Sequence, residues 1–501
     1  MIKPTKKTVL LVLILLAAFM ARAWTINYGT NVDEGVYWTE ARELYQGSVI
    51  YRDTQFNKTP LVAMVGAAFF PLGDAPIYPM RVAMLLFSVC ALYAFFQLAK
   101  NLFGDAAAWA SVILLAFEPF SCVWAKYLHT SSWAPWFEIG VIYLFWMGLK
   151  KQSSRWIFAS GLVLGFYALS KQTAIYTVPP AIAAWLLFSP EISVKRFAKD
   201  GAIWAGGIIT IMGPFFIIIT ALGALSQLWF DIFTAHTIMA GVKYHDFIFR
   251  WHEWKSVIVL SPLLWLAPLG SLPLLRSKQW RGITFAWIWL ITVFSGNLVL
   301  TSHVWRHYFL VAMPPAALLS GYFLSWIWGR VKTYQPKLTP FAWGAVLILI
   351  TASIIGWPKN DWAYPGLTLE QESLLARHVQ RYCPEPYLLN LTNPALYVWS
   401  GKQIPAAYQG DRMVKIPFFM TIAGRGYLDQ DDMKRTVEYW KTQPIGAIAV
   451  FDKFLRQIQD DPVMEPLRDW MGEEFQPPQR VAVGQSYYGW FFVFETKRNV
   501  D

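Results

Sequence analysis

Residues Thr8–Trp24 read TVLLVLILLAAFMARAW and residues Met80–Ala99 read MRVAMLLFSVCALYAFFQLA. Each approaches the roughly 20 consecutive apolar residues that an α-helix needs to cross a bilayer. Working outward from these two runs, about eleven segments qualify or nearly qualify. Besides the first two they are Ala106–Phe117, Ser131–Leu149, Trp156–Ser170, Thr173–Phe188, Ala202–Leu222, Ser256–Leu275, Ile283–Val299, Tyr308–Trp328 and Phe341–Trp357. The start of the chain superficially fits a secretory signal, with Lys3, Lys6 and Lys7 before the apolar run. Ala21-Arg22-Ala23 before Trp24 is not a persuasive cleavage site and apolar spans follow, so the segment reads as an uncleaved first membrane helix.

Composition agrees with that pattern. Of 501 residues, 55% are hydrophobic and only 15% charged, against roughly 25% charge in soluble domains. So little charge cannot cover several water-facing domains, and a polytopic α-helical membrane protein is the consequence. Disorder and nucleic-acid binding are excluded with the soluble reading. The net charge of +11 then follows from position: Lys3/Lys6/Lys7, Lys100, Lys150/Lys151/Arg155, Lys195/Arg196/Lys199, Arg276/Lys278/Arg281 and Arg330/Lys332/Lys337 fall on one side once the spans alternate. Basic residues mark the cytoplasmic side. The N-terminus is therefore expected inside, and an odd number of spans puts the C-terminus outside. Cys90, Cys122 and Cys383 form no metal or disulfide spacing, and aromatic belts at the two interfaces account for many of the 27 Trp.

The expected organisation is a transmembrane domain over 1–357 and an extracytoplasmic soluble α/β domain over 358–501. Two long outer segments interrupt the first part, at 25–79 and 226–255, and long segments often carry function. Within the first, Leu61–Leu72 is apolar but too short to span, as an interfacial helix would be. In the C-terminal part, periodicity predicts helices over Leu369–Arg381 and Asp431–Lys441, and strands over Tyr387–Leu391, Gly446–Phe451 and Tyr487–Glu495.

The candidate chemistry lies just beyond the first span, at Asn31-Val32-Asp33-Glu34-Gly35-Val36-Tyr37. Adjacent carboxylates there suit a general base or a cation ligand. The plainer reading is a helix start, with Asp33 as the cap and Glu34 on a wet face. Outer-face bases near helix ends are Lys58, Lys171, Lys243, Arg250 and Arg306. Each is suited to an anion, and for Lys171 and Arg306 the plainer reading is a cation snorkelling from a helix end. His303 and His307 share a helical face and suit a metal together with His245 or His252, or a structural pair.

The string continues through Tyr37, Ala41, Leu44, Gly47, Tyr51-Arg52-Asp53 and Asn57-Lys58-Thr59-Pro60. It resembles the first outer loop of the GT-C membrane glycosyltransferases, in the branch of the protein O-mannosyltransferases and lipid A aminoarabinose transferases. Met80-Arg81, Leu102-Phe103-Gly104, Gly165–Lys171 and His307-Tyr308-Phe309-Leu310 with Pro314-Pro315 extend the resemblance over most of the membrane half. It implies an inverting transfer of a sugar from a polyprenyl-phosphate donor to a lipid, glycan or protein acceptor, at the outer face of the cytoplasmic membrane. Asp33 then stands at the reaction centre with Glu34 as second choice. Lys58, Lys171, Arg306 and Tyr308, with Lys243 or Arg250, meet the donor phosphate.

The sequence also departs from that family. Asn57 stands where one branch carries an acid before the lysine, and asparagine is a poor zinc ligand. No resident metal is therefore expected to be required, although a divalent cation is compatible with the family. Thr59-Pro60 replaces a Pro-Pro pair, and Lys126–Ser131 occupies the place of a second acid common among relatives. The rival reading is a polytopic transporter or lipid flippase, which would place its charges near the bilayer midplane on repeat-related helices. Here the candidate charges gather at the outer edge and the halves are unlike.

Overall fold

The computed structural model describes residues 5–234, 247–272, 279–300, 305–334, 367–409, 411–417, 428–481 and 491–497. The chain forms two compact units, one of residues 1–26, 81–216 and 245–360, the other of residues 27–80, 217–244 and 361–501. Segment 27–80 thus belongs with the C-terminal residues, where the sequence reading grouped it with the membrane helices.

The first unit is helical. Its principal helices are Lys6–Ala23, Ile77–Phe103, Asp105–Ala116, Thr130–Lys151, Ser154–Ser170, Val178–Phe188, Val194–Ala221, Trp280–Ser295 and Met313–Tyr334. Among the described residues, three helices are long and apolar enough to cross a membrane: Ile77–Phe103, Val194–Ala221 and Arg306–Thr333. They become four if Trp251–Ile258 and Pro262–Ser271, bent by 83°, count as one span. That criterion is stricter than the one by which about eleven segments of the sequence qualify or nearly qualify. Several apolar runs form short helices, such as Asp105–Ala116 and Gln172–Phe188. Others carry buried charge, such as Arg22 in the first helix and Glu138 in Thr130–Lys151. The expected span Phe341–Trp357 lies outside the described residues.

Exposed apolar side chains in this unit suit lipid contact: Leu13, Leu16 and Met20 line one side of the first helix, and Ile209 is exposed on Val194–Ala221. Small residues allow a close helix crossing. A Cβ at Gly161 would run into the carbonyl of Trp204, and one at Gly207 into that of Phe158. Buried charge is matched internally. Arg22 donates to the carbonyls of Ala116 at 2.6 Å and Leu115 at 3.4 Å, capping the end of Asp105–Ala116. Glu138 accepts from Tyr167 at 3.4 Å and Trp289 at 3.2 Å, tying three helices together.

The second unit contains a four-stranded sheet in the order β1-β4-β6-β5, from Tyr387–Leu391 (β1), Ile445–Phe451 (β4), Gln479–Arg480 (β5) and Phe491–Glu495 (β6). β1 and β4 are parallel, while β6 is antiparallel to β4 and β5. All seven residues of β4 are buried, the mark of a central strand covered on both faces. Helix Leu369–Tyr382 starts with a capping box between Thr368 and Gln371, and Gln430–Lys441 is capped by Asp429. Both agree with the sequence reading to within a residue or two. Strand β6 falls inside the expected Tyr487–Glu495, of which residues 487–490 lie outside the described residues.

The helix Val32–Tyr45 is built into this unit. Thr39 donates to the Pro394 carbonyl at 2.8 Å. Arg42 forks onto the carbonyls of Tyr397 at 2.6 Å, Lys402 at 2.7 Å and Gly401 at 3.0 Å, satisfying the end of helix Ala395–Ser400. Upstream, Glu372 accepts from both the amide and the hydroxyl of Thr30. Downstream, Thr54 bridges to Lys415 and the Gln55 amide donates to the Lys415 carbonyl at 2.9 Å. The stretch therefore adds an edge to the hairpin of Ala406–Gln409 (β2) and Arg412–Lys415 (β3). Leu61–Leu72 is a short apolar helix, α-helical over Leu61–Ala67 and 3₁₀ over Phe70–Leu72.

Candidate functional site

In the second unit, Asn31 caps helix Val32–Tyr45 by accepting from the Glu34 amide at 2.8 Å. The capping duty belongs to Asn31, not to Asp33, so the plainer reading of Asp33 as the cap is corrected. Asp33 occupies the first turn, where the positive end of the helix dipole favours a carboxylate. Its Oδ1 lies 3.5 Å from the Lys58 ammonium, and both side chains are about one-third exposed, at 35% and 27%. They are open enough to meet a ligand and enclosed enough for the charges to matter. Glu34, by contrast, is buried.

Lys58 is held through its backbone. The Tyr51 hydroxyl donates to the Lys58 carbonyl at 2.8 Å, and Tyr51 is fully buried with a left-handed φ of 68°. Such a backbone is uncommon for an aromatic residue and persists only where packing enforces it. Phe56 supplies that packing, with ring centroids 6.1 Å from Tyr51 and 5.9 Å from Tyr37.

In the first unit, Lys171 follows helix Ser154–Ser170 in extended conformation. Its buried ammonium donates to the Ser131 hydroxyl at 2.6 Å and lies 4.3 Å from the centre of the Tyr308 ring. This cation–π contact holds charge beside a phenol. Arg306 is engaged by Glu253: its side chain donates to Oε1 at 3.1 Å and its amide to Oε2 at 3.2 Å. That pair is mostly enclosed, so an anion would have to compete with a carboxylate already in place. Lys243, His245 and His303 lie outside the described residues, and Arg250 lies in helix Phe247–Leu260 with nothing further described of its side chain. His252 is exposed.

The metal reading of His307 rested on His303. Rings near His307 include Trp124 at 4.7 Å, His129 at 4.9 Å and Tyr308 at 4.9 Å between centroids. His129 caps helix Thr130–Lys151, its Nδ1 accepting from the Ser131 amide at 3.0 Å. With Nδ1 accepting, the neutral ring carries its proton on Nε2 and presents a donor there. Lys126, also buried, donates to the Val123 carbonyl at 2.7 Å and sits 3.9 Å from the Tyr127 ring centre. Sequence reasoning did not single out Lys126 and His129 as site residues. It examined Lys126–Ser131 for an acid, and the signal it passed over was the density of donors in those six positions.

Residues 57–218 match the family model described as dolichyl-phosphate-mannose-protein mannosyltransferase. No curated protein sequence matches the chain. Among solved structures, ArnT from Cupriavidus metallidurans bound to undecaprenyl phosphate is similar with a TM-score of 0.61 at 14% identity, covering 98% of both chains. The same protein in its apo state gives 0.62 at 13% identity over 97% of both. The oligosaccharyltransferase AglB from Archaeoglobus fulgidus, in complex with an inhibitory peptide and a dolichol-phosphate, gives 0.56 at 11% identity over 99% of this chain and 75% of that one. The chain shares its fold with ArnT and AglB.

Proposed function

We propose that the protein is an integral-membrane, inverting glycosyltransferase that moves a sugar from a polyprenyl-phosphate donor to a lipid, glycan or protein acceptor. The observation that carries this is the Asp33–Lys58 pair at 3.5 Å, a base and a cation held at the head of one capped helix. Asp33 takes the proton of the acceptor hydroxyl as its oxygen attacks the anomeric carbon. The bond from that carbon to the phosphate oxygen breaks, and the polyprenyl phosphate leaves with its electron pair. One carboxylate suffices, because inversion needs no covalent sugar–enzyme intermediate.

The leaving phosphate gains charge, and Lys58, Lys171 and the Tyr308 hydroxyl supply donors for it. Arg306 would join them only by giving up Glu253, and the burial of Glu34 favours Asp33 over it as base. The polyprenyl phosphates named for the ArnT and AglB structures support a donor of that class over the transporter or flippase reading. About eleven membrane crossings, residence in the cytoplasmic membrane and an outer-face position for residues 358–501 complete the reading. No resident metal is needed for these roles. Transfer that persists in EDTA is expected, whereas loss that zinc or manganese restores would put a cation in the mechanism.

The test is transfer from purified undecaprenyl-phosphate sugars to membrane-derived acceptors, with wild type and Asp33→Asn side by side. Product from the wild type alone is expected. Equal product from both would remove Asp33 from the mechanism, and solute or lipid movement without any sugar transfer would restore the transporter reading.

A further inference from the structure

Two buried carboxylates have no part in that chemistry. Glu40 lies about two helical turns beyond Asp33, on the same face of helix Val32–Tyr45. Asp231 belongs to the π-helical turn Phe230–Thr234 of the second outer segment. Both are fully enclosed. Each takes one hydrogen bond from the stretch that ends in Lys58: Glu40 Oε1 accepts from the Thr54 hydroxyl at 2.6 Å, and Asp231 Oδ2 from the Phe56 amide at 3.2 Å. Together with the bond from Tyr51 to the Lys58 carbonyl, they fix residues 54, 56 and 58. The opposite edge is held by β3 through Gln55 and Lys415.

The remaining oxygens, Glu40 Oε2 and Asp231 Oδ1, are buried without a hydrogen-bond partner among the described residues. An ionised carboxylate with an orphaned oxygen is expensive in such surroundings, and a neutral acid is much less so. Burial accordingly pushes Glu40 up to about 8, with Glu43 and Asp231 adding to the effect and Thr54 and Lys415 opposing it. Burial also pushes Asp231 up to about 7, against Arg412, the Phe56 amide and the Gln55 side chain. Tyr51 feels both acids and Tyr37.

We propose that Glu40 and Asp231 are positioning residues for Lys58: as neutral acids they anchor Thr54–Lys58 to the helix that carries Asp33, and their ionisation slackens that anchor. The inference rests on the donor-binding role proposed for Lys58. It assigns the second outer segment a structural task in the same site, delivered through one carboxylate.

Hydrogen exchange on the full-length protein in nanodiscs tests it, reading protection factors for peptides covering residues 54–58 from about pH 6 to about pH 9. Binding of undecaprenyl phosphate, used as the probe, is measured over the same series. In the wild type, protection should fall by about tenfold across the range and probe affinity should weaken in step. The double variant Glu40→Gln/Asp231→Asn keeps neutral groups of the same shape and should show neither change. Wild-type protection that stays flat, or a double variant that retains the full pH dependence, overturns the proposal. If the double variant does not fold, the wild-type series decides together with each single variant, which should remove part of the slope. No probe binding at any pH, with the exchange pattern present, would refute the donor reading alone, since exchange reports the anchor independently.

Discussion

The ammonium of Lys58 stands 3.5 Å from Oδ1 of Asp33, so the proposed base and a proposed phosphate ligand already share a charge contact before any substrate arrives. A departing phosphate that draws Lys58 toward itself would leave the carboxylate more basic as the acceptor proton becomes mobile. Asp33→Asn removes the base and keeps the volume, and Asn31 still caps the helix. Transfer should fall by roughly 10²–10⁴-fold with thermal unfolding unchanged, as measured by product formation and a melting curve on the same preparation.

Lys171 and Tyr308 can be separated by their chemistry. Tyr308→Phe preserves the ring beside the Lys171 ammonium and deletes only the hydroxyl, whereas Lys171→Ala deletes the charge. Lys171→Ala should lower kcat/KM for the donor by about 10- to 100-fold, the worth of one charge-assisted hydrogen bond. Tyr308→Phe should lower it by less. Donor kinetics unchanged in both would detach this cluster from the phosphate.

Gly35 faces Asn393 so closely that a Cβ would overlap the Asn393 side chain and crowd the Ala395 amide. Asn393 also bonds the Thr30 carbonyl and hydroxyl, each at 2.9 Å. Gly35→Ala should therefore destabilise the second unit by about 1–3 kcal/mol. Limited proteolysis between residues 367 and 497 checks it, with earlier cleavage than in the wild type as the expected result.

The pH dependence of stability has a defined sign. Glu40 ordinarily titrates near 4.5 and is pushed up to about 8 by burial. Between those values the folded protein keeps a proton that the unfolded chain has released, so stability declines as pH rises through the window and levels off above it. Asp231, pushed up to about 7 from 3.8, acts in the same direction over a lower range. Melting temperatures from about pH 5 to about pH 9 should fall in the wild type, and the slope should shrink in Glu40→Gln.

What the sequence disclosed and what it withheld divide along the range of the interactions. The Val32–Tyr45 helix was legible as a start signal beside a carboxylate pair, although the cap proved to be Asn31. Leu369–Tyr382 and β4 announced themselves by local periodicity. The grouping of residues 27–80 with 361–501 was not legible, because it rests on pairs such as Thr30 with Glu372 and Arg42 with Tyr397, and no pattern in a single chain marks such distant partners. Glu40 and Asp231 were invisible for the same reason: each reads as an ordinary surface acid until Thr54 and Phe56 are brought to it. His129 was passed over because an expected acid was sought in its place.

The fork from Arg42 to the carbonyls of Tyr397, Gly401 and Lys402 bears on how the molecule can be re-engineered. Trimming the tail would strip the helix that carries Asp33 of its scaffold. A chimaera with a relative should exchange residues 27–80 and 361–501 as one cassette.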